Sequence, residues 1–162
     1  MQPFQKILVP IDFSAHTKRV LQVAAELCRR YEAPATLLHV RQPELFAVVG
    51  GSGVDSGAPT LGMQAHVMEL LGAANHDLRA DGAFQVHLAT TDGRPGAGII
   101  RFANEGGFDL IVMGTHGRSG VSHALMGSVA EEVMRRAPCA VMTVRLDLNR
   151  EKYQRAQLGS AT

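Results

Sequence analysis

The chain has no tryptophan, and its six phenylalanines and two tyrosines bring the aromatic share to only 5%. So thin a supply weighs against a nucleic-acid surface built on base stacking. Cysteine is scarce too. Cys28 and Cys139 stand apart, which argues against a disulfide framework or a thiolate metal site. Cys28 reads as core on the first helix, and Cys139 as a buried, unreactive thiol before the last strand. Neither sign of charge dominates: 16 Lys and Arg against 15 Asp and Glu leave a net charge of +1. No basic field is there to draw in nucleic acid or an anionic membrane surface. No apolar run approaches the ~20 residues of a membrane helix. The N-terminus enters a strand pattern without the charged-then-apolar layout of a signal peptide. The seven histidines are scattered, without an HxH or HExxH pair. These absences point to a soluble, cytoplasmic protein that binds neither nucleic acid nor membrane.

What is present is an alternation of strand and helix patterns in 162 residues, a length that suits one domain burying roughly 70% of its unfolded surface. KILVPI (Lys6–Ile11) is an apolar run read as the first, central strand, and Pro10, which cannot donate to a ladder, marks its end. Ser14 is placed to cap the next helix, whose apolar positions Val20, Ala24, Leu27, Cys28 and Tyr31 share one face. ATLLHV (Ala35–Val40) is a second buried strand. From Arg41 to Thr60 the pattern dissolves, and GGSGVDSGAP reads as a loop. Met63, Val67, Leu70, Leu71, Ala74 and Leu78 mark a second amphipathic helix, ended at Asp81-Gly82. Phe84–Thr90 is a third strand. Pro95 opens a third helix with Ile99, Ile100 and Ala103 inside and Gly106-Gly107 closing it. Leu110–Met113 is a fourth strand. A fourth helix begins near Ser128, with Glu131 and Glu132 in its first turn and Arg135 and Arg136 in its last. AVMTV (Ala140–Val144) is the fifth strand. The alternation implies a doubly wound parallel α/β sheet with helices on both faces, over residues 1–145. Residues 146–162 form a polar tail.

The most informative stretch is Asp109–Val129, DLIVMGTHGRSGVSHALMGSV. It leaves a buried strand at Met113 and places Gly114, Gly117 and Gly127-Ser128 at the spacing G-x2-G-x9-G-S. Glycines allow backbone N–H groups to turn inward as an anion nest. A helix starting at Ser128 and Val129 aims further free N–H groups, and the positive end of its dipole, at the same place. Two donor clusters suit a polyphosphate. Arg118 is the cation of the loop and either neutralises a phosphate or stands in solvent. Ser128-Val129-Ala130-Glu131 also fits a capping box, in which case Ser128→Ala costs ~1 kcal/mol of stability. Asp12, just after the first strand, either accepts hydrogen bonds from ribose or a base edge or simply shapes a turn. Met113 is apolar wall for a ligand or ordinary core.

This spacing resembles the nucleotide-binding motif of the universal stress protein family, in its ATP-binding branch. The likeness runs from Lys6 to about Arg145 and includes KILVPIDFS and APCAVMTVR. It implies a single five-stranded sheet of order 3-2-1-4-5, Rossmann-like and similar to adenine nucleotide alpha hydrolases. The chain then reverses between strands one and four, the point where open α/β sheets bind ligands. The resemblance further implies that Pro10, Ile11 and Val40 line an adenine slot, that Asp12 contacts the nucleoside, and that Gly114, Gly117, Gly127, Ser128 and Val129 surround the phosphates. The ligand would be ATP, with Mg2+ on the phosphates if a metal is present at all.

Two other patterns carry little. SGVDS at Ser52–Ser56 lacks the second glycine of the pyrophosphatase loop SGGxDS, and Gly51-Ser52-Gly53 does not follow a strand as GxGxxG should. The fifth strand is apolar on both faces yet, in the family order, ends the sheet. Pairing with its twin across a two-fold axis would satisfy that edge, so a homodimer through residues 140–144 is expected. The resulting expectation is a dimeric, ATP-binding stress-response protein that signals or protects, with an unidentified protein partner and slow hydrolysis at most. No residue offers itself as the base or water-orienting group that phosphoryl transfer needs. The alternatives are a nucleotide-free dimeric module of the same fold and an ATP-using enzyme.

Overall fold

Ile7, Leu8 and Val9 are fully buried. A strand covered on both faces needs no polar alternation, so a continuous apolar run is enough. In the computed structural model, which describes residues 4–14, 16–42, 61–83, 85–115 and 126–145 (the side chain of Met63 excepted), these residues belong to β1 (Ile7–Pro10). The other strands are β2 (Ala35–Arg41), β3 (Val86–Asp92), β4 (Leu110–Gly114) and β5 (Ala140–Val144). They form one parallel sheet in the order β3-β2-β1-β4-β5. The third strand lies two residues later than its apolar alternation suggests. Its register, Ala35↔Val86 to Arg41↔Asp92, is set by the neighbour, and tertiary pairing overrides local pattern.

The helices are α1 (Thr17–Tyr31), α2 (Leu61–Ala80), α3 (Pro95–Gly106) and α4 (Ser128–Arg136). The period-2 alternation of the strands deals residues to two cores. Val9, Ile11, Leu37 and Val112 pack with Val20, Ala24 and Cys28 of α1 and with Leu71 and Leu78 of α2. Leu8, Leu38, Val40, Ile111 and Met113 pack on the other face, with Ile99 and Ala103 of α3 and Ala130 and Val133 of α4. α1 ends at Glu32, left-handed at φ 52, whose N–H caps Cys28 O. α3 ends at Gly107, φ 61, where a glycine carries no side-chain penalty.

Ser14 does not cap α1. The cap position belongs to His16, and the Ser14 hydroxyl instead accepts the His16 N–H at 3.3 Å. The expected tail, residues 146–162, lies outside the described residues. Among the described residues, no helix is long and apolar enough to cross a membrane.

Candidate nucleotide-binding site

The site follows from how β1 and β4 meet and part. At their N-terminal ends they are tied together. The Asp109 carboxylate accepts the N–H groups of Gln5 (2.7 Å) and Lys6 (3.1 Å), and Asp109 N donates to Lys6 O at 3.2 Å. The pairing then runs only through Ile7↔Leu110 and Leu8↔Ile111, whereas β1 stays with β2 as far as Pro10↔Leu38. The sequence supplies a reason. Ile7 N and Ile11 N donate to Pro34 O and Leu38 O, on the β2 side. Backbone polar groups alternate sides along a strand, so residue 10 faces β4. Proline there has no proton to give, and the β1–β4 ladder stops. Parting strands leave a crevice at their carboxyl ends, where the connections reverse direction across the sheet.

One wall of the crevice is the turn after β1. Asp12 is half-buried, and its Oδ1 accepts the Ser14 N–H at 3.0 Å. The turn-shaping reading of Asp12 is therefore correct as far as it goes. Phe13 stands at φ 60, a left-handed backbone that costs a non-glycine residue about 1–2 kcal/mol. Strain of this kind persists only where surrounding contacts hold it, and it gathers at functional sites. Two such contacts come from β2. The Phe13 and His39 rings lie 4.6 Å apart, inclined at 37°, and His39 Nδ1 is 3.0 Å from Ile11 O. A carbonyl only accepts, so this contact requires the proton on Nδ1.

The other wall is the turn after β4. Thr115, buried, donates its N–H to Val144 O at 3.1 Å, and its carbonyl accepts the Gly127 N–H at 2.8 Å. The chain thus leaves β4 and returns within one hydrogen bond of where it left. Gly127 is the cap residue of α4, and no side-chain hydrogen bond caps the helix there. The first helical bond is Glu131 N to Gly127 O, at 3.0 Å. By helix geometry the N–H groups of Ser128, Val129 and Ala130 precede it and take no intrahelical acceptor. They open beside the end of β4. This fits an anion, through N–H donors and the positive helix end together.

Several expected residues stand otherwise than the pattern suggested. Ser128 is not the cap: it is the first helical residue and exposed, so the capping-box reading fails. Gly127, at φ −64 and ψ 147, has an extended backbone open to any residue. The positive-φ glycines among the described residues are Gly82, Gly93 and Gly107. The donors at Gly127 are therefore presented by a helix start, not by left-handed glycines. Ile11, Val40 and Met113 are 6%, 8% and 5% exposed, so their side chains are core and only their backbone reaches the strand ends. Gly98 of α3 makes room for Val40: a Cβ there would come within 2.9 Å of Val40 Cγ1. Gly117 and Arg118 lie outside the described residues, as do His116, Ser119, Ser122 and His123.

The carboxylates near the helix start oppose an incoming anion, and the same helix answers them. Glu132 pairs with Arg136 at 2.8 Å and Glu131 with Arg135 at 3.8 Å. Cys28 is buried, whereas Cys139, expected to be buried, is only partly so. Burial pushes Cys28 up to about 11, and burial together with the Asp109 charge raises Cys139. Two residues of this arrangement, Phe13 and His39, belong to no motif in the sequence. The signal for His39 was a polar residue set between the buried Leu38 and Val40.

Similarity to known proteins agrees with this layout. The chain is 28% identical over 149 residues to the universal stress protein MJ0531 of Methanocaldococcus jannaschii, covering 88% of this chain and 82% of that one. A universal stress protein from Archaeoglobus fulgidus, solved in complex with dAMP, superposes with a TM-score of 0.66 at 26% identity, over 87% of this chain and 98% of the other. A universal stress protein solved in complex with cAMP superposes with a TM-score of 0.68 at 24% identity, over 88% and 98%. The model of the universal stress protein family matches residues 3–145, and the chain belongs to that family.

Proposed function

We propose that the chain binds an adenine nucleotide, ATP foremost, across the β1–β4 crevice, and acts through that binding in stress response. The observation that carries this reading is the Gly127 N–H to Thr115 O bond of 2.8 Å, which sets the uncapped start of α4 against the end of β4. In this reading Ser128 and Val129 hold phosphate through their backbone N–H groups, with Gly114, Gly117, Gly127 and Arg118 around them. Asp12 takes the nucleoside hydroxyls or base edge, and the backbone of Pro10, Ile11, Val40 and Met113 lines the base. Mg2+ would bind the phosphates rather than the protein. The dAMP and cAMP complexes of the two relatives support an adenine ligand. Binding without efficient turnover suits a site whose assigned groups position and neutralise rather than move a proton. Native mass spectrometry of freshly purified protein, followed by denaturation, tests the reading. Release of an adenine nucleotide, or micromolar ATP binding in a calorimetric titration, is expected. Absence of both at millimolar ATP rejects it.

We further propose a cytoplasmic homodimer formed through β5. The exposed Met142 of β5 and Met134 of α4, 36% and 49% exposed, are apolar groups that a partner would cover. Val144 O bonds to Thr115 N, so residues 141 and 143 turn their N–H groups to the free edge. Thr143→Pro removes one outward donor and leaves the β4 ladder intact. Light scattering is expected to show a dimer that this substitution splits, and a monomeric parent chain at micromolar concentration contradicts the assignment.

A further inference from the structure

We propose that His39 is a positioning residue of the crevice: from β2 it fixes the Ile11–Ser14 turn through which Asp12 acts on a bound nucleotide. The inference rests on the reading of the crevice as a nucleotide site. It starts from the backbone. The β1–β2 ladder ends when Ile11 N donates to Leu38 O. The carbonyl of Ile11, a buried residue, is the next group needing a partner, and an unpaired one is costly. His39 Nδ1 meets it at 3.0 Å.

The turn also carries local bonds. Asp12 Oδ1 accepts Ser14 N, Ser14 Oγ accepts His16 N, and Ser14 O accepts Thr17 N. Bonds among neighbours fold the turn on itself; His39 ties it to β2, beside the packing of Phe13 on the core. His39 is held in register opposite Thr90 of β3, so its ring is anchored to the sheet. It touches the turn on both sides of Asp12: the carbonyl of residue 11 before it and the ring of residue 13 after it. Phe13, the residue at φ 60, is thereby clamped in its left-handed state. Loss of His39 removes that restraint on the backbone and loosens the placement of Asp12.

The two contacts separate by substitution. His39→Asn keeps an N–H donor near the Nδ1 position and gives up the ring. His39→Phe keeps a ring and gives up the donor. ATP affinity of the full chain is measured by calorimetry for the parent, both variants, Asp12→Asn, and the double variant Asp12→Asn/His39→Phe. His39→Phe is expected to weaken ATP about tenfold, the worth of one hydrogen bond, with His39→Asn within about threefold of the parent. In the double variant the His39→Phe loss disappears, because a group acting through Asp12 has nothing left to position. A purely structural role predicts losses that multiply. If His39→Phe does not fold, His39→Leu replaces it in the cycle, giving up the same donor. Parent-like affinity in the variant that lacks the donor, or multiplicative losses, overturns the role of His39 and leaves the site standing. A parent chain that binds no ATP overturns the site and this inference with it.

Discussion

The two strand exits that face the crevice are built in opposite ways. After β1 the chain is held by side chains: Asp12 closes on Ser14, and His39 reaches across from β2. It carries a left-handed non-glycine residue, Phe13, and offers a carboxylate. After β4, the described bonds that hold the chain run through the backbone of Thr115, to Val144 and to Gly127. Its cap residue has ordinary dihedrals, and it offers N–H donors. A carboxylate accepts from hydroxyl and amino groups, and a helix start accepts anions. Under the proposed nucleotide reading the difference divides the labour: the β1 exit would read the nucleoside and the β4 exit would hold the phosphates. It also lets each half be broken separately.

The largest effect is expected from Asp12→Ala. Losing hydrogen bonds to a charged group is worth about 1.5–3 kcal/mol, or roughly 10–100-fold in affinity. ATP and adenosine should weaken alike in calorimetric titrations, since both carry the nucleoside. Next is Ser128→Pro. Proline is tolerated at the first helical position, so α4 survives while one donor goes. ATP affinity should fall about tenfold with adenosine unchanged, and equal losses for both ligands would erase the proposed division. A smaller effect is expected from Pro10→Val, which restores an N–H facing β4. Hydrogen exchange should then show a protected amide at residue 10, and ATP should bind a few-fold more weakly in the narrowed crevice. Smallest is Ser128→Ala. The hydroxyl caps nothing in this structure, so urea unfolding should change by less than about 0.5 kcal/mol rather than by the ~1 kcal/mol of a lost cap.

Much of this architecture was legible in the residues. The apolar runs of β1, β2 and β4 fall where the chain is buried on both sides, and Pro10 announced the end of β1. Pro95 and Gly107 bracketed α3 as their stereochemistry requires. Strand order was not legible from periodicity, because pairing between residues a hundred positions apart leaves no local trace; it came from family resemblance. The serine at the start of α4 departs from the capping pattern for a physical reason. Ser-x-x-Glu promises a cap only if the serine lies just outside the helix, and here the first helical bond begins at Gly127. The glycine spacing suggests an anion nest, yet Gly127 has an extended backbone. Its place beside Thr115 depends on a return of the chain that no short window displays. His39 was hidden because a histidine in an apolar strand explains itself only once its acceptor, 28 residues earlier, is known.

The central claim is that both exits close on one ligand. Backbone amide NMR during an ATP titration tests it most directly. The account predicts that the amides of Ser128 to Ala130 and those of Asp12 to Ser14 shift together, with one dissociation constant, while the β3 edge stays silent. Millimolar ATP that moves neither set, or moves them with different constants, contradicts it.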